Sequence, residues 1–84
     1  MVTVRLFGMT KMLAGNQSCL SLALGEGRRV KDVIGLIDAA NPQIGELLHK
    51  KKVLVSVNQE IAHEDLIVRD GDEIALLPPF AGGL

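Results

Sequence analysis

Apolar and polar residues alternate with a period of two in residues 2–7 and again in residues 18–24. This alternation is typical of a half-buried β-strand, in which successive side chains point to opposite faces. The segment between them, Met9 to Gln17, is rich in small and polar residues and is predicted to be a connector. The two strands are close enough in sequence to pair as an antiparallel hairpin with a long loop.

The period of the apolar positions changes after Gly25-Glu26-Gly27. Apolar residues then recur at positions 30, 33, 34, 37 and 40. This is the i, i+3, i+4, i+7 spacing of an amphipathic helix. Asn41-Pro42 ends this helix, because the residue before a proline is disfavoured in the α region. Pro42 can also open a short second helical turn over residues 43–49.

Two further strands are predicted in the second half of the chain. Residues 53–57 are apolar and β-branched at nearly every position, which indicates a strand covered on both faces or lying inside a sheet. Residues 73–77 form the last strand, which Pro78-Pro79 terminate because proline has no N–H for the ladder. Turns are predicted at residues 58–60 and, with Gly71, at residues 69–72.

This order of elements predicts an α+β fold, a small mixed sheet with one main helix across one face. The helix between strands supplies the crossover that a parallel strand pair needs. The chain has 84 residues, enough for a single domain. We expect that domain over residues 1–79 and a flexible tail over residues 80–84.

Composition narrows the classes of function. Hydrophobic residues make up 48% of the chain, but its aromatic residues are Phe7 and Phe80 alone, so an aliphatic interior is expected. Ligand pockets typically occupy roughly 300–1,000 Å³, which would hollow out much of a domain this small. The sequence therefore favours a carrier, a binding module or a subunit over a stand-alone enzyme.

Charge and cysteine content disfavour several partners. The net charge of −1 lacks the basic excess of nucleic-acid-binding proteins. Eight basic and four acidic residues lie in residues 1–59, against one and six in residues 60–84, which predicts an acidic C-terminal surface. Cys19, His49 and His63 are too far apart to predict a metal site. No apolar run approaches the ~20 residues that span a bilayer, and no secretory signal is evident, so we expect a cytoplasmic protein without a membrane partner.

Arg28, Arg29 and Lys31 lie at the start of the main helix, where the helix dipole disfavours cations. Two interpretations stay open at this point. The three residues are either a solvated surface without a role or a basic docking patch.

The chain ends with Pro78-Pro79-Phe80-Ala81-Gly82-Gly83-Leu84. No requirement of the fold accounts for the two glycines, although a frayed terminus is one explanation. The other explanation is chemical, because no Cβ obstructs attack on a carboxylate carried by glycine. Four or five extended residues reach roughly 13–18 Å, far enough to enter the active site of another protein.

The segments Val57-Asn58-Gln59 and Asp70 to Gly83 resemble the MoaD family, the small subunits of molybdopterin synthase, within the MoaD/ThiS group of ubiquitin-like sulfur carriers. The turn, strand, diproline and Gly-Gly in this spacing are the specific part. The opening strand that ends at Phe7 and the order of elements also fit, so the resemblance covers essentially the whole chain.

The resemblance implies a β-grasp fold and a protein that is not catalytic alone. It implies that an E1-like (MoeB-like) enzyme uses ATP to adenylate the carboxylate of Gly83, with Gly82 as a slim spacer. A sulfur donor then yields a thiocarboxylate. The chain itself would bind no cofactor. In complex with a MoaE-like large subunit of molybdopterin synthase, the sulfur would pass to the pterin precursor of the molybdenum cofactor.

The same resemblance suggests apolar anchors for these partners. They are Leu77 and Phe80, joined by Phe7 and Ile61. A role in the hydrophobic core stays open for Phe7 and Leu77. Surrounding acidic groups would suit a reversible partner surface.

One residue departs from the family pattern. Leu84 follows the Gly-Gly pair, whereas the chemistry requires the carboxylate on glycine. Either a peptidase removes Leu84 or the residue is a remnant of vector sequence. Two alternatives to the molybdopterin role stay open: a sulfur carrier for another pathway, such as thiamine or cysteine synthesis or protein tagging, and a ubiquitin-like binding module with an inert tail.

Overall fold

The structure, a computed structural model, describes residues 1–24 and 28–77. These residues form five strands and three helices. In chain order they are β1 (Val2–Leu6), α1 (Gly8–Leu13), β2 (Cys19–Leu22), α2 (Val30–Ala40), α3 (Pro42–His49), β3 (Leu54–Val57), β4 (Glu60–Ile61) and β5 (Glu73–Leu77). The strands form one sheet in the order β2-β1-β5-β3-β4. The predicted α+β architecture is therefore confirmed.

The sheet is mixed because β1 and β5, the first and last strands in the sequence, are neighbours that run in the same direction. β1 pairs with β5 in parallel, with Val4 opposite Ile74 and Leu6 opposite Leu76. The other neighbouring strands pair antiparallel, including the predicted hairpin of β1 with β2. The parallel pairing expected for the second and third strands, across the main helix, is wrong. β2 and β3 are not neighbours in the sheet, and the parallel pair is formed by the two strands farthest apart in sequence.

The core lies between one face of the sheet and the helices. The alternating residues of β1 and β5 that point inward are almost fully buried, each at most 1% exposed. The main helix contributes Val30, Val33 and Ile37, which are 1% exposed and follow the predicted helical spacing. The buried hydrophobic side chains of the described residues are all aliphatic: Val2, Val4, Leu6, Val30, Val33, Ile37, Ile44, Leu48, Val57, Val68, Ile74 and Leu76.

Asn41 separates the two longer helices and holds their junction. It ends α2, and its side-chain Oδ1 accepts a hydrogen bond from the Ile44 N–H at 3.3 Å, which caps α3. Its Nδ2 donates to the Leu13 carbonyl at 3.0 Å, which ties the end of α1 to this junction. Pro42 occupies the first position of α3, where its missing N–H costs nothing. The predicted boundary at Asn41-Pro42 is confirmed.

The connector predicted over Met9 to Gln17 is wrong in its first half, which forms the six-residue helix α1. The buried side chain of Thr10 explains the helix, because its Oγ1 accepts from the Phe7 N–H at 3.2 Å and donates to the Phe7 carbonyl at 2.8 Å. One hydroxyl therefore closes the turn in which the chain leaves β1. A helix this short shows no periodicity in the sequence.

The two predictions for residues 53–57 have different outcomes. β3 does lie inside the sheet, between β5 and β4. It is not covered on both faces, because Leu54 is 43% exposed. The turn predicted after it is confirmed as a two-residue hairpin in which Asn58 and Gln59 both have positive φ, and this turn leads into the unpredicted two-residue strand β4.

The contact between α2 and α3 gives a test of the fold. Gly45 of α3 is buried, and a Cβ at this position would overlap the Cβ and carboxylate of Asp38 on α2. We expect Gly45→Ala to lower the free energy of unfolding by about 1–3 kcal/mol. The matched control is Gly35→Ala on α2, where a Cβ meets open space. It should raise the stability by about 0.5–1 kcal/mol through helix propensity. Equilibrium urea unfolding measures both, and a shift in the same direction would contradict the packing described.

Candidate functional site

One face of the sheet carries no helix among the described residues. The side chains that alternate with the buried ones on β1 and β5 point to this outer face and are exposed or half-buried. Helices α2 and α3 supply buried residues to the core on the opposite, inner face. Among the described residues, a partner that packs on a face of the sheet therefore has only the outer face open to it.

A groove of about 270 Å³ crosses the outer face, and we call it the anchor groove. Its lining residues come from four neighbouring strands and the turns beside them: Arg5, Phe7, Ser56, Gln59, Ile61, Glu73, Ala75 and Leu77. Ser56 and Ala75 lie opposite each other on β3 and β5. Their small side chains in the middle of the sheet leave the depression between the larger side chains around them.

The anchor groove brings together the three predicted anchors that the structure describes. Phe7 is 38% exposed, Ile61 is 63% exposed and Leu77 is half-buried. The interpretation of Phe7 as a core residue is therefore wrong, and Leu77 is absent from the hydrophobic cluster of the inner face. Ile61 is far more exposed than an isoleucine of a stable core, as a docking residue would be.

The other predicted site residues lie outside the described residues. These are Phe80, Gly82 and Gly83, together with Leu84 and the expected boundary between domain and tail at residues 79 and 80. Leu77, the last residue that the structure describes, lines the anchor groove, and the expected tail begins three residues later in the sequence.

Sequence reasoning missed several exposed apolar residues, three of which are Leu54, Met9 and Met12. Leu54 is 43% exposed and lies directly opposite Leu77 in the pairing of β3 with β5. Met9 and Met12, on α1 just after Phe7, are 63% and 70% exposed. The register between β3 and β5 decides which side chains meet, and no pattern within either strand reveals it. The methionines were missed because their segment was expected to be a connector.

Arg5 contacts both an anchor and a charged residue of the groove. Its guanidinium carbon lies 5.5 Å from the centre of the Phe7 ring, within range of a cation–π interaction. Its Nη1 lies 3.8 Å from Oε2 of Glu73 on the neighbouring strand. Arg5 and Glu73 are both substantially exposed, so this ion pair adds little stability. Its effect is to place one paired charge of each sign beside the aromatic ring.

Three of the six acidic residues that predicted an acidic surface over residues 60–84 pair with basic groups from the first half of the chain. Glu73 pairs with Arg5, the Asp70 carboxylate pairs with the amino group of Met1, and Asp65 lies 3.8 Å from Lys31. The charges are separated along the sequence but not in space. Acidic groups were expected around the anchors. Among the described residues that line the groove, the acidic one is Glu73, and it is paired with Arg5.

Two of the three basic residues at the start of α2, Arg29 and Lys31, contact the segment after β4. The Arg29 guanidinium donates to the Asp65 carbonyl at 2.9 Å, and Lys31 lies near the Asp65 carboxylate. Asp32 accepts from the Arg29 N–H at 3.0 Å, which satisfies one free donor at the helix start. Arg29 and Lys31 hold the segment after β4 against α2, which neither sequence interpretation had included.

Two turns at one end of the sheet are braced by Asn58 and Asp72. Asn58 Nδ2 donates to Asp72 Oδ1 at 3.1 Å, and Asn58 Oδ1 accepts from the Glu73 N–H at 3.0 Å. Asp72 Oδ2 also accepts from the Arg69 N–H at 2.9 Å. These bonds join the β3–β4 turn to the turn before β5. They fix the positions of the strands that carry Ile61 and Leu77. Asn58 and Asp72 therefore act as positioning residues for the anchor groove.

The same bonds lower the pKa of Asp72 below its ordinary value of 3.8. The backbone hydrogen bond from Arg69 is the main cause, followed by the side-chain bond from Asn58. Both donors favour the ionised carboxylate. A carboxylate with a lowered folded-state pKa stabilises the fold above its unfolded-state pKa, and this stability is lost as the pH falls through the folded value.

Other candidate chemistry is sparse in residues 1–24 and 28–77. No group of three or more metal-ligating side chains occurs there. The thiol of Cys19 is free and exposed on the outer face of β2. None of the helices in these ranges is long and apolar enough to span a bilayer.

Comparison with known proteins identifies the architecture. The family model described as "ThiS family" matches residues 4–83. The chain belongs to the ThiS family. The match extends through the anchor groove and both glycines of the tail. The fold is accordingly the ubiquitin-like β-grasp, as the resemblance implied.

Individual members of the ThiS family and its structural neighbours are similar over nearly their full length. The molybdopterin synthase sulfur carrier subunit of Chlamydomonas reinhardtii is 31% identical, with 98% of each chain covered. A solved structure from Pyrococcus furiosus, described as subunit 1 of a molybdopterin converting factor, is 28% identical with a TM-score of 0.83, covering 94% of this chain and 97% of that one. The BexX/CysO complex of Amycolatopsis orientalis contains a chain 25% identical with a TM-score of 0.76, covering 99% of this chain and 100% of that one.

The brace predicts how stability responds to pH. We expect Asp72→Asn to lower the free energy of unfolding by about 1 kcal/mol at neutral pH, because the amide cannot replace both accepting oxygens. The difference should shrink in acid, since the native Asp72 loses the same contribution when it is protonated. Urea unfolding at pH 7 and at several acidic pH values measures this.

Asn58→Ala is the companion variant, because it removes the other half of the brace. The two substitutions share one hydrogen bond, so their effects should sum to more than the loss in the double variant. A difference for Asp72→Asn that does not change with pH would contradict the ionised brace.

Proposed function

We propose that this chain is a sulfur carrier of molybdopterin synthesis, in which the Gly83 carboxylate is converted to a thiocarboxylate. Membership of the ThiS family supports the proposal, as does the named function of the Chlamydomonas relative. The observation that carries it is the position of the anchor groove. Phe7, Ile61 and Leu77 line one groove, and Leu77, the last residue of β5, is six residues before Gly83 in the sequence.

The chemistry of the proposal takes place on the carboxylate of Gly83. A carboxylate is a poor electrophile, so ATP must first convert it to an acyl adenylate with release of pyrophosphate. The outer sulfur of a persulfide then attacks the acyl carbon and AMP leaves. A thiol cleaves the resulting acyl disulfide, which leaves the thiocarboxylate on Gly83 and a disulfide on the donor. An E1-like activating enzyme supplies the ATP site, so the carrier itself needs no cofactor.

The anchor groove gives this chemistry its selectivity. An activating enzyme must bind the carrier firmly enough to hold the tail in its active site and then release it to the synthase. A groove of this size with a few exposed apolar side chains suits such an exchange, since a handful of buried anchors supplies most of the binding energy at a protein interface. We propose the large subunit of molybdopterin synthase and the activating enzyme as the partners.

Leu84 must be absent for this reaction, because the carboxylate of Gly83 is otherwise held in a peptide bond. A chain ending at Gly83, incubated with an E1-like activating enzyme and ATP, should release pyrophosphate and form an adenylate visible by intact mass. Addition of a persulfide donor and a thiol should then replace one carboxylate oxygen with sulfur.

The chain ending at Leu84 is the matched control and should give neither product. A chain that ends at Ala81 keeps the described domain intact and should also stay unmodified. If the Gly83 chain forms no adenylate with activating enzymes of molybdopterin, thiamine or cysteine synthesis, the carrier proposal fails and the binding module becomes the better account. Adenylation by an enzyme of another pathway alone would contradict the molybdopterin role.

The docking role is tested separately from the tail. Ile61→Ala removes a side chain that is 63% exposed in the free domain, so the fold should be unaffected. We expect it to weaken binding to the large subunit by roughly tenfold to a hundredfold, the cost of truncating one interface anchor. Isothermal titration calorimetry measures the affinity.

Ile67→Ala is the control for this measurement. Ile67 is 42% exposed but pairs with Arg29 beside α2 and does not line the anchor groove. Its substitution should leave the affinity within about twofold. Equal losses from the two variants would show that the partner does not distinguish the anchor groove from other exposed apolar residues.

A further inference from the structure

β2 is a terminal strand in the sheet formed by the described residues, with β1 on one side only. The Leu6 N–H donates to the Ser18 carbonyl at 2.9 Å, which marks residues 6 and 18 as a hydrogen-bonded pair. Bonded pairs alternate in an antiparallel ladder. Leu20 and Leu22 therefore bond to β1, whereas the N–H and carbonyl groups of Cys19 and Ser21 point away from it.

The edge strand β2 is short, and it is uncharged. Residues 12–25 form the longest segment of the chain without a charged side chain, although 23% of all residues are charged. Natural sheets commonly block such edges with charged residues or proline, and β2 contains neither. Three leucines of this segment, Leu20, Leu22 and Leu24, are only partly buried at the margin of the core.

We propose that two copies of this chain associate through β2, antiparallel and edge to edge. The occupant is a second copy because the edge is self-complementary. Rotation about Ser21 places Cys19 opposite Ala23 of the other copy and Leu20 opposite Leu22 of the other copy. No like charges face each other, and each bonded pair uses the backbone groups that point away from β1.

The pairing leaves the anchor groove open. The groove lies across β1, β5, β3 and β4, and no residue of β2 lines it. A two-fold axis perpendicular to the sheet puts both outer faces on the same side of a continuous ten-stranded sheet. The dimer would therefore present two anchor grooves toward one side.

A single pair of short strands buries little surface, so the association is weak and reversible. Interfaces below about 1,200 Å² are typical of transient encounters, which places the dissociation constant between about 1 µM and 1 mM. A carrier that must move between enzymes would tolerate such an equilibrium.

Substitution at Ser21 tests both the surface and its register. Ser21 is exposed on the outer face, so Lys or Glu there should leave the fold unchanged. In the proposed dimer, residue 21 of one copy lies opposite residue 21 of the other. Like charges directly opposite each other disfavour strand pairing. We expect Ser21→Lys alone and Ser21→Glu alone to raise the dissociation constant by roughly tenfold or more. An equimolar mixture of the two should form a heterodimer again.

Ser21→Pro is a second disrupting variant. It removes only an N–H that points away from β1, which an edge strand tolerates. Sedimentation equilibrium of the full chain across micromolar to millimolar concentrations is the measurement, with thermal unfolding as the check on folding. The proposal is overturned if the unsubstituted chain stays monomeric throughout this range. It is also overturned if Ser21→Pro dimerises normally, or if the mixed Lys and Glu variants fail to recover the dimer.

Discussion

The parallel pairing of β1 with β5 determines where everything else in the molecule lies. Because parallel strands run in the same direction, their carboxyl ends meet at one edge of the sheet. Leu6 lies opposite Leu76, so the next residues along each strand, Phe7 and Leu77, reach the same end of the outer face. The first strand thus leads directly into an anchor, Phe7, beside Leu77, the last of the described residues.

Side chains on the inner face of the sheet stabilise this strand pair, and side chains on its outer face form the anchor groove. Aliphatic side chains of β1 and β5 are almost completely buried against the helices, while the alternate residues on the same strands line the anchor groove. Because successive side chains of a strand point to opposite faces, the same two strands contribute to the core on one face and to the anchor groove on the other. Substitutions on the outer face can change docking without removing core contacts, which is useful for a small domain with little surplus stability.

Much of the fold was predictable from the sequence because its longer elements bury one face. The period-two pattern located β1 and β2, and the helical spacing located α2 at its observed bounds. Elements that depend on a single polar contact were not predictable. Helix α1 rests on the hydroxyl of Thr10, and β4 has only two residues. Neither is long enough to repeat a pattern.

The candidate site was predictable only in part, for a related reason. Resemblance to a family indicated Phe7, Ile61 and Leu77, but the inclusion of Arg5, Ser56 and Ala75 follows from register across four strands. The same limit applies to charge. The six acidic residues of segment 60–84 have one basic residue among them in the sequence, whereas folding brings basic groups of the first half against three of the six.

The central claim is that the outer face at the carboxyl end of β5 is the surface that partners bind. Methyl NMR of the chain, titrated with the large subunit of molybdopterin synthase, tests it most directly. The account predicts that the resonances of Ile61, Leu77 and Leu54 shift or broaden, while those of the inner-face residues Val33 and Ile37 stay in place. Perturbation confined to residues on α2 and α3, with the groove resonances unchanged, would contradict it.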